Sequence, residues 1–288
     1  MIIFTVPKHF EGEFGIIQNN AIDSWLAINP KPKIVLLGDE KGISEVARQK
    51  GLIHIKKIKK NVYGTPLLND IFAKAQKGYK KEIFMYINTD IVLLDFSMDL
   101  VKILSKKFDK FLAIGRRYEM EIKDRMDHSE IKKKASISDL QQKSSSWMDY
   151  FIFTSEVFKK IPPFALGRTF WDKWLVWNTL QIKIPVVDIT NQLFAIHQSH
   201  SYSMNKKTNL KNVWAGEQAL ENLKLAGGWS HGATVDDANF KMINKKIYFQ
   251  KRNIKSKKIV LDIIPFLWPF FLRLRLLREK YSWRVNKK

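Results

Sequence analysis

The sequence predicts an α/β fold in which helices flank a mainly parallel sheet. Three observations predict it. Strand-like apolar runs begin at the first residues, a segment with helical spacing separates each run from the next, and the run at 83–87 ends abruptly in Asn88-Thr89-Asp90. Parallel strands joined by helices are covered on both faces. Ligands of such sheets bind beyond the carboxyl ends of the strands, which is where this triplet is expected to lie.

The first half of the chain supplies the alternating elements in order. Strand-like runs cover 2–6, 34–37, 52–55 and 83–87, and helical spacing covers 14–26, 44–50 and 65–78. Pro30 and Pro32 end the first of these helices. Thr65 is expected to cap the third, with Pro66 in its first turn, where the missing N–H costs nothing. The predicted order is βαβαβαβ with right-handed crossovers.

Two acidic positions follow predicted strands directly. Asp90 ends the triplet after the fourth strand, where a carboxylate is suited to hold a phosphate-bound cation. Asp39 follows the second strand in Gly38-Asp39-Glu40. Asn and Asp also make ordinary turns, so a turn role remains an alternative for Asn88, Asp90 and Asp39.

The middle of the chain is polar and less regular. Arg116 and Arg117 follow a strand pattern at 111–115, where their cations are suited either to bind phosphate or to occupy a solvated turn. Residues 119–146 are rich in Lys and Ser and have weak periodicity. This pattern favours a helical excursion and loop over the site, which is typical of a lid.

Three longer strings resemble one family. They are YGTPLLNDIF at 63–72, IPPFALGRTFWDKWL at 161–175 and AIHQSHSY at 195–202. In this order they are similar to a group of bacterial nucleotide-diphospho-sugar transferases with the GT-A fold, and the likeness runs from about residue 1 to 240. The resemblance implies a glycosyltransferase that uses a nucleoside-diphosphate-sugar donor and acts on a glycan or a lipid-linked saccharide.

The resemblance also implies a donor site. Asp90 would bind the divalent ion, Mn²⁺ or Mg²⁺, that bridges the donor diphosphate, whereas the first position of the triplet is Asn88 in place of the family's Asp. Asn88 would then bind ribose or a metal-bound water with one charge fewer, which leaves strict metal dependence open. Other residues that the resemblance assigns to the donor pocket are Thr5, Pro7, Asp39 and Asn69. Either His197 or His200 would complete the metal or diphosphate site, and a structural role is the alternative for both.

Sugar transfer from a diphosphate leaving group needs positive charge at the departing oxygens and, for inversion, a base for the attacking hydroxyl. Asp172 and Asp149 are the two candidates for that base. Asp172 lies among aromatic side chains, and Trp171 or Trp174 is suited to stack on a sugar ring. The alternatives are an N-cap role for Asp172 at the helix 173–180 and strand-edge polarity for Asp149 at the strand 150–153.

Composition bounds the function further. The 288 residues contain 45% hydrophobic residues and no cysteine, which predicts a full core and excludes disulfides and thiolate metal sites. The chain starts directly with a strand pattern, so we expect no secretory leader. The expected organisation is a nucleotide-sugar-binding half at 1–115, an acceptor-binding and catalytic half at 116–245, and a basic amphipathic tail at 246–288.

The tail holds much of the net charge of +22. From Lys251 to Lys288, twelve Lys or Arg stand against two acids, and 12 − 2 gives +10. Its apolar stretch 259–272 is broken by prolines and shorter than the ~20 residues of a membrane span, so it favours an interfacial segment on anionic lipid. We therefore expect a cytoplasmic enzyme at the inner face of the membrane, with no specific nucleic-acid partner. A helix packed on the core is one alternative for the tail. The alternative for the whole protein is a non-catalytic fold that binds nucleotides, nucleic acid or anionic membranes.

Overall fold

The computed structural model describes residues 1–138, 140–199, 213 and 216–250. These residues form two sheets flanked by helices. The strands are β1 Ile2–Thr5, β2 Lys33–Leu37, β3 Ile53–Ile55, β4 Ile83–Ile87, β5 Ile91–Leu94, β6 Leu112–Ile114, β7 Tyr118–Met120, β8 Gln141–Gln142, β9 Tyr150–Thr154, β10 Val186–Asp188, β11 Phe194–Gln198, β12 Phe240–Ile243 and β13 Lys246–Phe249. The helices are α1 Gly12–Leu26, α2 Ile43–Lys50, α3 Leu68–Gln76, α4 Met98–Lys107, α5 His128–Ile137, α6 Trp171–Gln181 and α7 Glu217–Ala226.

The large sheet has nine strands in the order β13-β12-β10-β6-β9-β4-β1-β2-β3. Its first part, β3-β2-β1-β4, is parallel and is built from the predicted strand and helix alternation. On the other side, β6, β10 and β12 are also parallel to one another. The prediction of an α/β fold with a mainly parallel sheet is confirmed.

Strand β9 runs against the direction of its neighbours. It lies between β4 and β6 and is antiparallel to both. Because of this reversal, β9 begins at the edge of the sheet where β4 ends, and Tyr150 pairs with Ile87. The residue before β9 and the residue after β4 are therefore neighbours in space.

The small sheet has the order β5-β11-β7-β8. Strand β11 is its centre, antiparallel to β5 and parallel to β7. The chain passes from the large sheet to the small sheet between β4 and β5, through Asn88-Thr89-Asp90. The triplet therefore lies where the two sheets meet.

Apolar side chains cover both faces of the large sheet. One core contains Phe4, Phe72 and Phe153, in which Phe72 and Phe153 stack with ring centroids 5.5 Å apart. The other core contains Trp25 and Ile152 and is covered by α1, α2 and α4. Large-ring burial of this kind supplies most of the free energy that holds such a sheet together.

Two details of the helices differ from the sequence prediction. Helix α3 begins at Leu68, because Pro66 and Leu67 form β-bridges with Lys60 and Ala165, and an extended backbone at these positions excludes a helical first turn. Helix α6 begins at Trp171, one residue before Asp172, and the residue before it, Phe170, has a positive φ of 92°. Thr65 and Asp172 are therefore not the N-caps of these helices.

The polar segment after β6 contains α5, which begins with a capping box between Asp127 and Glu130. A small cluster that includes Ile131 and Ile122 packs this segment against the small sheet. The basic tail from residue 251 onward lies outside the described residues. Among the helices that are described, none has the length and apolar character that crossing a membrane requires.

Candidate active site at the junction of the two sheets

A cleft of about 1120 Å³ opens at the carboxyl ends of β1, β2 and β4. Most of the predicted site residues line it, together with cations and aromatic rings from the second half of the chain. The predicted residues among the lining are Pro7, Asp39, Asn88, Asp90, Asp149, Asp172 and His197. The chain therefore brings residues from positions 7 to 197 into one concave site.

The triplet is held from below by a pair of buried hydroxyls. Thr89 is buried, and its Oγ1 lies 2.7 Å from Oγ1 of Thr5, which is also buried. Thr5 does not line the cleft. Its contact instead fixes the end of β1 to the triplet, so its place in the structure is that of a support.

Asn88 is tied to Asp149. The Asn88 amide donates to Asp149 Oδ1 over 2.7 Å, and the hydroxyl of Tyr86 donates to Asn88 Oδ1 over 3.2 Å. The backbones also meet, because Asn88 N–H donates to the carbonyl of Asp149. The reversed direction of β9 makes this contact possible, which the sequence order alone does not reveal.

The small sheet brings Asp90, Glu119 and His197 together. His197 pairs in register with Ile91 on one side and with Glu119 on the other. As a result, His197 Nε2 lies 3.4 Å from Asp90 Oδ2, and its Nδ1 lies 3.7 Å from Glu119 Oε1. A buried imidazole thus lies between two carboxylates at the floor of the cleft.

Arg117 joins the two sets of residues. Its guanidinium is buried and donates to Asp149 Oδ2 over 2.8 Å and to Glu119 Oε1 over 2.9 Å. The ring of Trp147 lies 4.4 Å from the guanidinium carbon. The result is a polar chain from Asn88 through Asp149, Arg117 and Glu119 to His197, which we call the junction network.

The charges of the junction network are balanced by a lysine. Burial acts to raise the pKa of Glu119, but the hydrogen bond from Lys143 and the charges of Arg117 and His197 outweigh it, so the pKa of Glu119 lies below its usual range. Lys143 Nζ is 2.7 Å from Glu119 Oε2. Glu119 is therefore held as a carboxylate at neutral pH.

Asp39 lies at the rim beyond β2. Its Oδ1 is 2.7 Å from Lys60 Nζ, and this hydrogen bond holds the pKa of Asp39 below its usual range. Its side chain is half exposed, so the pair is accessible from the cleft. Pro7, two residues after the end of β1, also lines the cleft.

Asp172 lies in the first turn of α6. It lines the cleft, as do its neighbours Trp171 and Lys173. Its Oδ1 accepts the backbone N–H of Lys173. Trp171 is mostly buried and packs edge-on against Tyr86, with centroids 5.5 Å apart. Trp174 packs against Phe164 in the core and does not line the cleft, so the sugar-stacking prediction for Trp174 is not supported.

Two further predicted residues do not reach the described site. Asn69 lies in the first turn of α3 and is absent from the lining of the cleft. His200 is outside the described residues. Of the two histidines that the sequence offered, His197 is therefore the one whose surroundings are known.

Sequence reasoning missed Glu119, and it left Arg117 open between a phosphate ligand and a solvated turn. Arg117 is neither exposed nor aimed at solvent, since both of its acid partners are buried or half-buried. The only sequence signal for Glu119 was its place between Tyr118 and Met120 in a short strand pattern. The position of Glu119 opposite His197 depends on the strand pairing of the small sheet, which local sequence does not encode.

The donor atoms of Asp90 and His197 fit a divalent cation in part. Among the described residues no group of three or more His, Cys, Asp or Glu side chains forms a cation site. A carboxylate oxygen and an imidazole nitrogen 3.4 Å apart supply two ligands at the cleft. Mg²⁺-type cations are commonly held by one or two protein groups, with substrate phosphates and water as the remaining ligands, so this pair fits such a shared site.

Known structures were compared with this fold. GalNAc-T7, solved with UDP, GalNAc and Mn²⁺, aligns with a TM-score of 0.50 and 13% identity over 80% of this chain and 48% of its own. Staphylococcus aureus TarS 1-349, in complex with UDP-GlcNAc, aligns with a TM-score of 0.49 and 11% identity over 78% of this chain and 65% of its own. A protein of Desulfovibrio desulfuricans G20 described as a nucleotide-diphospho-sugar transferase aligns with a TM-score of 0.41 and 12% identity over 78% of this chain and 95% of its own.

This chain has a GT-A fold. The comparison with GalNAc-T7 supports that statement, and at such low identity the similarity establishes the fold alone. No protein-family model and no curated protein matches the sequence. Within the GT-A fold, the cleft described above occupies the carboxyl edge of the sheet, where open α/β sheets bind their ligands.

Proposed function

We propose that this protein is a glycosyltransferase that moves a sugar from a nucleoside-diphosphate donor to a hydroxyl of a glycan or a lipid-linked saccharide. The observation that carries the proposal is the convergence of Asp39, Asp90 and His197 on one cleft at the carboxyl edge of a GT-A fold. Structures with this fold include proteins solved with UDP, a sugar and Mn²⁺, or with a UDP-sugar. A cleft of about 1120 Å³ is large enough for a nucleotide sugar and part of an acceptor.

In the proposed reaction the bond between the anomeric carbon and the diphosphate oxygen breaks, and a bond to the acceptor oxygen forms. Asp90 and His197 would hold Mn²⁺ or Mg²⁺, which supplies positive charge to the departing diphosphate oxygens. Asp39 and Pro7 line the part of the cleft next to β1 and β2, which suits them to the nucleoside. Asn88 and Asp149 hold the triplet in place through their mutual hydrogen bonds.

Asp172 is the proposed base. It lines the cleft from α6, beside Trp171, and an inverting transfer needs a carboxylate that accepts the proton of the attacking hydroxyl. Asp149 is less suited to this role, because its two carboxylate oxygens already accept hydrogen bonds from Asn88 and Arg117. We therefore assign Asp149 to positioning and Asp172 to proton transfer.

The proposed acceptor and location rest on the sequence of the tail. The net +10 between Lys251 and Lys288 is suited to an anionic membrane surface, where each cation near the lipid contributes about 1 kcal/mol. Replacing Arg273, Arg275 and Arg278 by Gln should weaken binding to vesicles with anionic lipid while leaving nucleotide affinity unchanged. Sedimentation with phosphatidylglycerol vesicles measures the first effect, and calorimetry measures the second.

Calorimetric titration of the purified protein with UDP, GDP and CDP, and with their sugar conjugates, tests the donor proposal. Tight binding of one nucleotide, weakened by removal of Mn²⁺ and by Asp90→Ala, is the expected result. Asp109→Ala is the matched control, because Asp109 is an exposed turn residue outside the cleft. If none of these ligands binds, while nucleic acid or anionic vesicles bind in a salt-sensitive manner, the fold is a non-catalytic binding module and the proposal is wrong.

A further inference from the structure

The loop that follows β1 is fixed in the cleft by one buried side chain. Gln18, which is only 2% exposed, accepts the backbone N–H of Lys8 on Oε1 over 2.7 Å. Its Nε2 donates to the carbonyls of Lys8 and His9 over 3.2 and 3.1 Å. Three hydrogen bonds from one buried amide hold the backbone of Lys8 in a single conformation, so its side chain starts from a rigid position.

The Lys8 side chain enters the cleft over an aromatic ring. Its ammonium lies 4.2 Å from the centroid of Phe14, and both residues line the cleft. A cation over a ring face is attracted by the π electrons, which helps to hold the otherwise flexible lysine stem. The ammonium is thereby kept at the cleft instead of extending into bulk water.

Among the described residues, the Lys8 ammonium has no carboxylate at ion-pair distance. No carboxylate oxygen of the described residues lies within 4.0 Å of this ammonium, whereas two other cations of the cleft have carboxylate partners within that distance. Lys60 pairs with Asp39, and Arg117 pairs with Asp149 and Glu119. The residue is exposed to the cleft, yet the surrounding walls remove enough water to lower the pKa of Lys8, against the opposing fields of Asp90 and Glu13.

The triplet contributes one carboxylate to the cleft. Asn88 uses its amide on Asp149, so Asp90 is the only acid of Asn88-Thr89-Asp90. A nucleoside diphosphate carries several negative charges, and these increase on the leaving group during transfer. A cation held by Asp90 and His197 would neutralise part of that charge, and an ammonium in the same cleft is suited to neutralise more.

We infer that Lys8 binds the diphosphate of the donor directly, so that the leaving group is held by a fixed lysine as well as by a metal ion. The inference rests on the proposed function, because it assumes that a nucleoside diphosphate enters this cleft. It adds a distinct property, which is that part of the affinity for the diphosphate survives when divalent cations are removed. Lysine ammonium groups bind phosphate as compact point charges with three donors.

The test compares ligands that differ only in phosphate. Uridine, UMP and UDP, and the guanosine and cytidine series, are titrated into the full chain in EDTA and again with Mn²⁺. The variants are Lys8→Met, which keeps the length of the stem, Lys8→Arg, which keeps the charge, and Lys41→Met as a control. Lys41 is an exposed lysine paired with Glu11 and does not line the cleft.

Three results are expected together. In EDTA, the wild-type protein binds the preferred diphosphate more tightly than its nucleoside, and Lys8→Met weakens diphosphate binding by about 10–100-fold, the range for a charge-assisted hydrogen bond. Nucleoside binding stays unchanged in Lys8→Met. Lys8→Arg recovers part of the lost affinity, and Lys41→Met binds all ligands as the wild-type protein does.

Other results overturn the inference in ways that can be told apart. If the wild-type protein binds diphosphates and Lys8→Met binds them equally well, the role of Lys8 is wrong while the proposed function stands. If Lys8→Met loses nucleoside and diphosphate binding to the same extent, Lys8 shapes the pocket and does not bind phosphate. If the wild-type protein binds no nucleotide, the proposed function fails and the inference fails with it.

Discussion

The two sheets of this protein differ in what they bury. The large sheet buries apolar side chains on both faces, and its chemistry-bearing residues lie beyond its edge. The small sheet buries His197 and Gln198 in its central strand and carries Glu119 on the adjacent one. Apolar burial stabilises both sheets, and the small sheet in addition buries polar groups, which need partners and therefore fix one another. The difference between the two sheets is therefore the placement of charge, which the small sheet fixes around His197.

The largest expected effect tests the part of the cleft carried by α6. Asp172→Asn should lower kcat by about 10²–10⁴-fold, because the amide cannot accept the proton of the attacking hydroxyl. The donor dissociation constant should change little, since the proposed function assigns donor binding to Asp90 and His197 and not to Asp172. Rates of nucleoside-diphosphate release with a working acceptor, together with donor calorimetry, measure both quantities.

An equal loss of turnover and donor affinity in Asp172→Asn would contradict the role of Asp172 as the base. It would place Asp172 in donor binding instead. Asp109→Asn, at an exposed turn outside the cleft, serves as the control for a change of one surface charge.

The second effect compares two neighbouring arginines. Arg117→Met should lower the free energy of unfolding by about 3–5 kcal/mol, because it leaves Asp149 as a buried carboxylate without its guanidinium. Arg116→Met should cost about 1 kcal/mol or less, because Arg116 pairs with Asp236 in a partly exposed position. Urea unfolding at pH 7 measures both values.

Similar values for the two arginine variants would mean that the junction network does not act as a buried unit. In that case the buried ion pair between Arg117 and Asp149 would contribute no more to stability than the partly exposed pair between Arg116 and Asp236. A change in the denaturant slope for one variant alone would point to altered compactness and would require a second probe of unfolding.

The third effect tests whether Thr5, at the end of β1, stabilises the fold or binds the nucleotide. Thr5→Val should lower the free energy of unfolding by about 1–3 kcal/mol, because it removes the buried hydroxyl that Thr89 contacts. Its effect on nucleotide affinity should be small, since Thr5 does not line the cleft. A large loss of affinity for the nucleoside, with unchanged stability, would restore Thr5 to the nucleotide pocket.

The smallest effect is a dependence of stability on pH in the small sheet. The folded-state pKa of Glu119 lies below its ordinary value of 4.5, so its contribution is fully present above that pH and is lost as the pH falls through the lower folded-state pKa. The difference in unfolding free energy between the wild-type protein and Glu119→Gln should therefore shrink on acidification below about pH 4.5. Urea unfolding between pH 3 and pH 7 measures it.

A constant difference across that pH range would show that Glu119 acts through packing or hydrogen bonding alone. Glu121→Gln is the matched control, because Glu121 lies two residues away in the same segment and is exposed. The difference in unfolding free energy between the wild-type protein and Glu121→Gln, measured over the same pH range, is the baseline for the Glu119→Gln difference.

Local sequence determined much of this protein. Alternating apolar runs and helical spacing placed β1 to β4 and their helices, because burial on both faces of a sheet requires those side chains in those positions. The abrupt end of β4 in Asn88-Thr89-Asp90 also marked the edge at which the cleft opens.

Only the tertiary structure decided how the site is assembled. The reversed direction of β9 places Asp149 beside Asn88, and the pairing of β7, β5 and β11 places Glu119 and Asp90 on either side of His197. The position of β7 beside β11 also places the neighbouring Arg117 between Asp149 and Glu119, and the contact between Thr5 and Thr89 lies outside the lining of the cleft on the Thr5 side. These outcomes depend on strand order and register between distant segments, which are set by long-range packing and leave no periodic signal in the local sequence.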